Sequence, residues 1–377
     1  MTPGGCWCDP KCGQYRTRQA RDCFRAWNDA SRNLYNRGVN SLSNSSNPAI
    51  GTCVITDGAA GNEHQALALA QAMRLAPAVH HIALRAPWRW IGPARVRGAS
   101  FAMPRRQWRE LSKPWPALAI GCGRHAAVVT RALREASGGA TYAVQILDPR
   151  IDPAYFDLVI APRHDGLAAP NVIQTMGSLN PIDDARLAAA RDAFPLFAQL
   201  ARPRTVLLVG GQRRGLELDD AWMTALIDTL DRWHERDGGS LLISTSRRTP
   251  DAWRDRLRGA FRHGCTCFWA GDADGANPYA GYLAYADRIV VTPDSVNMLS
   301  EACATGVPVF TSLPAHAPPK LAAFHAELVD QGWLHDVNAD ISTVRQPPPL
   351  REIAMVASKV WHQIEATRPD VAVALNS

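Results

Sequence analysis

No stretch of the 377-residue sequence approaches the ~20 consecutive apolar residues of a membrane-spanning helix, and the opening MTPGGCWCDPKCGQ lacks the apolar middle of a secretory signal. The chain is therefore expected to be cytoplasmic, with any membrane contact peripheral, on the inner face. Paired cysteines are missing too. The nine cysteines contain no C-x-x-C, and those of the first 48 residues (Cys6, Cys8, Cys12, Cys23) are spaced C-x-C-x3-C-x10-C, unlike any common zinc pattern. No metal is expected, and reduced thiols fit a cytosolic protein. The glycine loop at 57–62 follows neither G-x-G-x-x-G nor the Walker pattern, which argues against a nicotinamide or ATP enzyme.

Acids are scarce in two places. Residues 1–46 carry seven cations against three acids and so hold most of the net charge of +6; the remainder is nearly neutral, which excludes a general nucleic-acid surface. The second place is 85–116, where eight basic residues from Arg85 to Lys113 face the single acid Glu110 and are interleaved with Trp88, Trp90, Phe101, Trp108 and Trp115. Such a mixture suits an anionic membrane or a lipid-linked acceptor; the plainer alternative is an irregular connection with inward tryptophans and solvated arginines.

What is present is a repeated pattern of short β-branched strands, polar or glycine-rich turns, and helices. Its clearest instance is 287–311, where Ile289, Val290 and Val291 make a strand, 292–295 make a turn, and a helix runs to Gly306 before a second strand. Asp294 or Ser295 can cap that helix. Asn297 and Glu301 lie along it, Glu301 as a helix-face carboxylate suited to ribose hydroxyls. In an open α/β sheet, ligands bind beyond the carboxyl ends of the strands, so such turns are the first places to seek a site.

In the first half, strand 53–56 delivers Asp57, Gly58, Gly61 and Asn62 to a loop, with Glu63 and His64 in the next helical turn. Strands are also expected at 79–84, 117–120, 141–147 and 156–160, bringing Gln145, Asp148, Arg150, His164 and Asp165 to the same edge. In the second half, strand 205–209 leads into Gly210 and Gly211, and strand 241–244 into Thr245, Ser246, Arg247 and Arg248. Helix N-termini at 211–215 and 294–298, with the two arginines, would suit a diphosphate.

The segments ITDGAAGNEHQALALAQAM, LDPRIDPAYFDLVIAPRHDG and VVTPDSVNMLSEACATGVPV together resemble the elongated-mitochondria (mitochondrial fission) family over about 50–365. Bacterial members of that family are treated as GT-B glycosyltransferases, and plant members recruit a dynamin-type GTPase to mitochondria. The stretch from Asp294 to Val309 is also similar to the donor-binding segment of the enzyme that adds N-acetylglucosamine to lipid I. That likeness implies a ribose-binding carboxylate at Glu301 and a catalytic histidine in the first glycine loop, where this chain departs from the pattern by reading GNEHQ.

The expected architecture is α/β and GT-B-like, with two Rossmann-like doubly wound domains facing a cleft. A disordered leader (1–48) precedes an acceptor domain (49–200), a nucleotide-sugar donor domain (201–345), and a return helix and tail (346–377). The expected activity is metal-independent transfer of a sugar from a nucleotide-diphosphate donor to a hydroxyl, without a cofactor. Asp57 or His64 would be the base. Gly210, Gly211, Thr245, Ser246, Arg247, Arg248, Asp294, Ser295, Asn297 and Glu301 would bind the donor. Gly58, Gly61, Asn62, Gln145, His164 and Asp165 would line the acceptor side. A fission-type adaptor with an inactive cleft and a nucleotide-sugar epimerase are the alternatives.

Overall fold

The computed structural model describes residues 51–96, 98–261, 265–344 and 347–376. The expected leader with its four cysteines lies outside these residues, as does Arg97. The first sheet contains β1 (Thr52–Thr56), β2 (Ala78–His81), β3 (Leu118–Cys122), β4 (Tyr142–Ile146), β5 (Leu158–Pro162) and β6 (Val172–Thr175). The second contains β7 (Arg204–Val209), β8 (Ser240–Thr245), β9 (Cys265–Trp269), β10 (Arg288–Val291), β11 (Val309–Thr311) and the two-residue β12 (His335–Asp336). Every pairing is parallel. The central strands are buried along their whole length because helices cover both faces, which is why they read as continuous apolar runs.

Helices α1 (Ala60–Ala72), α2 (Trp88–Ile91), α3 (Arg105–Ser112) and α4 (Arg124–Ala136) belong to the first half, while α5 (Asp184–Ala193) follows its last strand but packs in the second core through Leu187 and Ala190. Those of the second half are α6 (Asp220–Asp237), α7 (Asp251–Ala260), α8 (Tyr279–Tyr285), α9 (Val296–Ala304) and α10 (Pro319–Asp330). Helix α6 shows the local logic. Asp219 caps it by accepting from Trp222 N–H at 2.8 Å, and Met223, Leu226, Ile227, Leu230 and Trp233 form its buried stripe.

The strand orders, β2-β1-β3-β4-β5-β6 and β12-β11-β10-β7-β8-β9, each reverse direction once, between β1 and β3 and between β7 and β10. Crevices open at such reversals. The last helices, α11 (Ile353–Thr367) and α12 (Pro369–Asn376), follow the second sheet but pack on the first: Val356, Ala357, Val360, Ile364 and Val371 join Val54, Leu69, Leu118 and Leu158 in one core. The expected return crossing is present.

Several expected elements shift. Strand β2 stops at His81 rather than residue 84. Strand β5 begins at Leu158, because Asp152 accepts from Ala154 N–H at 2.9 Å and holds a 3-10 turn, Pro153–Tyr155, ahead of it. The edge strand β6 and helices α5 and α10 have no counterpart in the sequence expectations, and the supposedly irregular 85–116 contains α2 and α3.

Candidate functional site

At the β7/β10 reversal two loops are sewn together. Gly211 N–H donates to Asp294 Oδ2 at 2.8 Å, Gly210 N–H to Thr292 Oγ1 at 2.8 Å, and Thr292 Oγ1 to Asp294 Oδ1 at 2.7 Å. A Cβ at position 210 would stand 2.3 Å from an Asp294 oxygen, so only glycine fits. Asp294 is 1% exposed, and burial pushes its carboxyl above the usual range. Gly211, Thr292 and Arg248, whose guanidinium lies at 3.5 Å, pull it back. Arg213 adds a bond from Nη1 to the Asp294 carbonyl at 3.0 Å.

These bonds correct part of the donor-side expectation. No helix begins at 211–215; the next starts at Asp220, and the N–H groups of Gly210 and Gly211 are taken by Thr292 and Asp294. Ser246 Oγ is likewise committed, donating to Gly210 O at 2.8 Å, and Thr245 ends β8 as a buried residue. Asp294 braces the glycine loop instead of capping α9; the cap is Ser295, which accepts from Met298 N–H at 3.4 Å. Arg247 and Arg248 stand exposed.

Glu301 is not a solvated helix-face group. It is largely buried and accepts a short hydrogen bond from the Tyr279 hydroxyl. Burial lifts its carboxyl to about 7, the Tyr279 bond opposing that rise.

At the β1/β3 reversal Asp57 accepts from Ala59 N–H at 3.2 Å and Asn62 Nδ2 at 3.1 Å, and His125 Nδ1 stands 3.7 Å from its other oxygen. Gly58 has φ +80°, the left-handed turn that lets the chain leave the strand sharply. His64 is exposed on the first turn of α1, while its neighbour Glu63 is held by His81 at 2.6 Å.

Three acceptor-side expectations change. Gln145 is fully buried, donating from Nε2 to Ile146 O at 2.7 Å and Gly123 O at 3.2 Å, so it fastens adjacent strand ends and does not face the crevice. Asp165 is bound to Lys320 of α10 at 2.8 Å. His164 lies against Phe324 with ring centroids 5.0 Å apart, its Nδ1 is buried without a protein partner, and burial lowers its basicity.

The carboxyl ends of the two sheets face each other. Lys320 also meets Asp148 at 3.0 Å, and Arg163 reaches Glu327 at 3.5 Å. Helix α9 also packs on the first half: a Cβ at Gly61 would be 1.8 Å from Asn297 Nδ2, and Ser300 Oγ accepts from Ser178 N–H at 3.0 Å. Glu352, just ahead of α11, accepts from Met176 N–H at 2.9 Å and Gly177 N–H at 3.3 Å. Asn297 thus adjoins the first glycine loop, and Glu301 follows one turn further along the same helical face, held by Tyr279 of the second half.

Sequence reasoning missed His125, Arg213, Tyr279 and His325. The first follows Gly121-Cys122-Gly123, a strand-to-glycine signal like that of 56–58. His325 is 4% exposed and bonds Pro293 O through Nε2 at 2.9 Å; burial lowers it to about 4, so it is neutral at pH 7 with the proton on Nε2. Among the described residues no group of three or more His, Cys, Asp or Glu stands together as a metal site, and no helix is long and apolar enough to cross a membrane.

Two parallel doubly wound sheets with apposed carboxyl ends and a helix crossing back define the GT-B fold. The solved structures it is similar to include a candidate UDP-N-acetylglucosamine 2-epimerase from Listeria monocytogenes (TM-score 0.56, 11% identity, 85% of this chain and 97% of that one). Another is the UDP-GlcNAc 2-epimerase from Methanocaldococcus jannaschii (TM-score 0.50, 13% identity, 82% and 99%). Residues 60–364 match the family described as mitochondrial fission ELM1, and the chain belongs to it. It is 30% identical over 285 residues to the mitochondrial fission protein ELM1 of Arabidopsis thaliana; the match takes in 67% of this chain and 65% of that relative's length.

Proposed function

We propose that the protein transfers a sugar, without a metal, from a nucleoside-diphosphate donor to a hydroxyl on a lipid-linked or cell-envelope glycan. The observation that carries this reading is the apposition of the two reversal crevices through α9, which sets Asn297 against Gly61 and keeps Glu301 on the same face. Glu301 would accept from the ribose hydroxyls. The leaving diphosphate would meet the N-terminus of α9 and the guanidinium groups of Arg213, Arg247 and Arg248, fixed positive charge where negative charge develops. Asp57, oriented by Asn62 and adjacent to His125, would take the acceptor proton, with His64 the other candidate base.

Purified protein incubated with a panel of uridine and guanosine diphosphate sugars should release the nucleoside diphosphate slowly by hydrolysis, and a ligand at 100 times its Kd should add about 2.7 kcal/mol of stability. Asp57→Asn should abolish turnover while donor affinity stays. An epimerase, favoured by the names of the two solved proteins of similar fold, would instead change the sugar without net release of nucleotide. An adaptor, the alternative that the family resemblance implied, would bind no member of the panel.

A further inference from the structure

The segment between β2 and β3 has a small core of its own. Trp88 and Trp108 pack inward on Val96, Ala99, Val128 and Ala132, and α4 ties the loop down through Arg124, which donates to Trp90 O at 2.9 Å and to Gly92 O. Arg131 does the same for Pro93 O at 2.9 Å and Ala94 O at 3.2 Å. Four large apolar side chains are nevertheless left out of that core: Trp90 is 69% exposed, Phe101 58%, Ile91 42% and Trp115 37%. A single exposed apolar residue is ordinary, but four in one anchored segment call for an occupant.

The charges around them say which. Arg85, Arg89, Arg95, Arg105, Arg109 and Lys113 are all exposed, and the segment's one acid, Glu110, is neutralised by Arg106 at 2.8 Å. The exposed groups hang on that one core: Gly98 lies between Trp88 and Phe101, Arg85 N–H bonds Ala102 O, and Trp115 meets Trp108 edge-on with ring centroids 6.5 Å apart. Protruding tryptophan and phenylalanine among exposed cations match the boundary of an anionic bilayer, where aromatic rings sit at headgroup depth and the cations meet phosphates.

We propose that this face docks the protein on an anionic membrane surface. The docked face borders the first crevice, since Arg124, which holds Trp90, directly precedes His125, the neighbour of Asp57. This stands on observations separate from the proposed transfer and holds whether or not the cleft is catalytic.

The test is co-sedimentation of the full chain with vesicles of phosphatidylglycerol and phosphatidylcholine, against phosphatidylcholine alone. Binding is expected only with the anionic lipid, weakening steeply toward molar salt, where the Debye length falls to about 3 Å. With about 1 kcal/mol for each basic residue at the surface, Arg105→Ser with Arg109→Ser should weaken binding about thirtyfold at low salt. Trp90→Ser with Phe101→Ser should weaken it at every salt concentration. All four residues are exposed, so unchanged melting is expected and checks the fold. No binding to anionic vesicles, equal binding to neutral ones, or undiminished binding by both variants overturns the proposal. So does displacement from the vesicles by polyuridylate, which would mark a nucleic-acid surface.

Discussion

Glu301 concentrates the chemistry at the residue scale. Its folded pKa of about 7 stands above the ordinary 4.5, so the protonated form is the one the fold favours. The stability associated with it is fully present below pH 4.5 and is lost as pH rises through about 7. Ribose binding runs the other way, because the carboxylate accepts from hydroxyls better than the acid. Affinity for a nucleotide sugar, whose diphosphate does not titrate near neutrality, should therefore rise between pH 6 and pH 8 in titration calorimetry, and a flat profile would remove Glu301 from the site. Glu301→Gln keeps an acceptor for Tyr279 and should leave melting nearly unchanged while weakening the donor roughly ten- to a hundredfold. Glu301→Ala strands the Tyr279 hydroxyl and should also cost about 1–3 kcal/mol of stability. Residue types at strand ends were legible in the sequence, but their partners were not. Asp294, Ser246 and Gln145 all stand at the expected sheet edge, yet each is bonded to backbone of a neighbouring loop or strand end, Gly211 N–H, Gly210 O and Gly123 O respectively, and such pairings depend on segments brought together from apart in the chain.

Among the elements, those written by local rules were the legible ones. The buried strands and α9 follow from β-branched runs, a serine cap and the terminal Gly306 at φ +83°. The cap is testable: Ser295→Ala should lower stability by about 1 kcal/mol in urea unfolding, and an unchanged midpoint would mean that the packing of Leu299, Ala302 and Cys303 holds α9 without its cap. Strand β6 was not legible, since it sits at a sheet edge with a mostly half-exposed pattern and no continuous apolar run. For α11 the apolar stripe is plain in sequence but its destination is not. Ile364 and Val360 are fully buried against the first sheet, so Ile364→Ala should cost about 2–5 kcal/mol and destabilise the first half, although the helix follows the second. Hydrogen exchange at β1 and β3 would register that loss; protection unchanged there would contradict the crossing.

For the whole molecule the question is what holds the cleft closed. Two kinds of contact cross it. On the α9 and α11 side the contacts are close-packed and partly buried: Asn297 on Gly61, Ser300 with Ser178, and Glu352 on the Met176 and Gly177 amides. On the α10 side they are ionic and half-exposed, Lys320 bridging Asp148 and Asp165, and Arg163 facing Glu327. Exposed pairs contribute only about 0–1 kcal/mol each and are screened by salt, so they add little to folding. They can still bias closure, because closure is a small difference between two folded states, and a ligand that needs the closed form loses affinity in proportion to the population that opens. Lys320→Ala should therefore leave the melting temperature nearly unchanged but increase the radius of gyration measured by X-ray scattering at low salt, and weaken donor binding. Wild type in molar salt should scatter like the variant. Identical scattering of variant and wild type at low salt would mean that the ionic pairs of α10 do not bias closure.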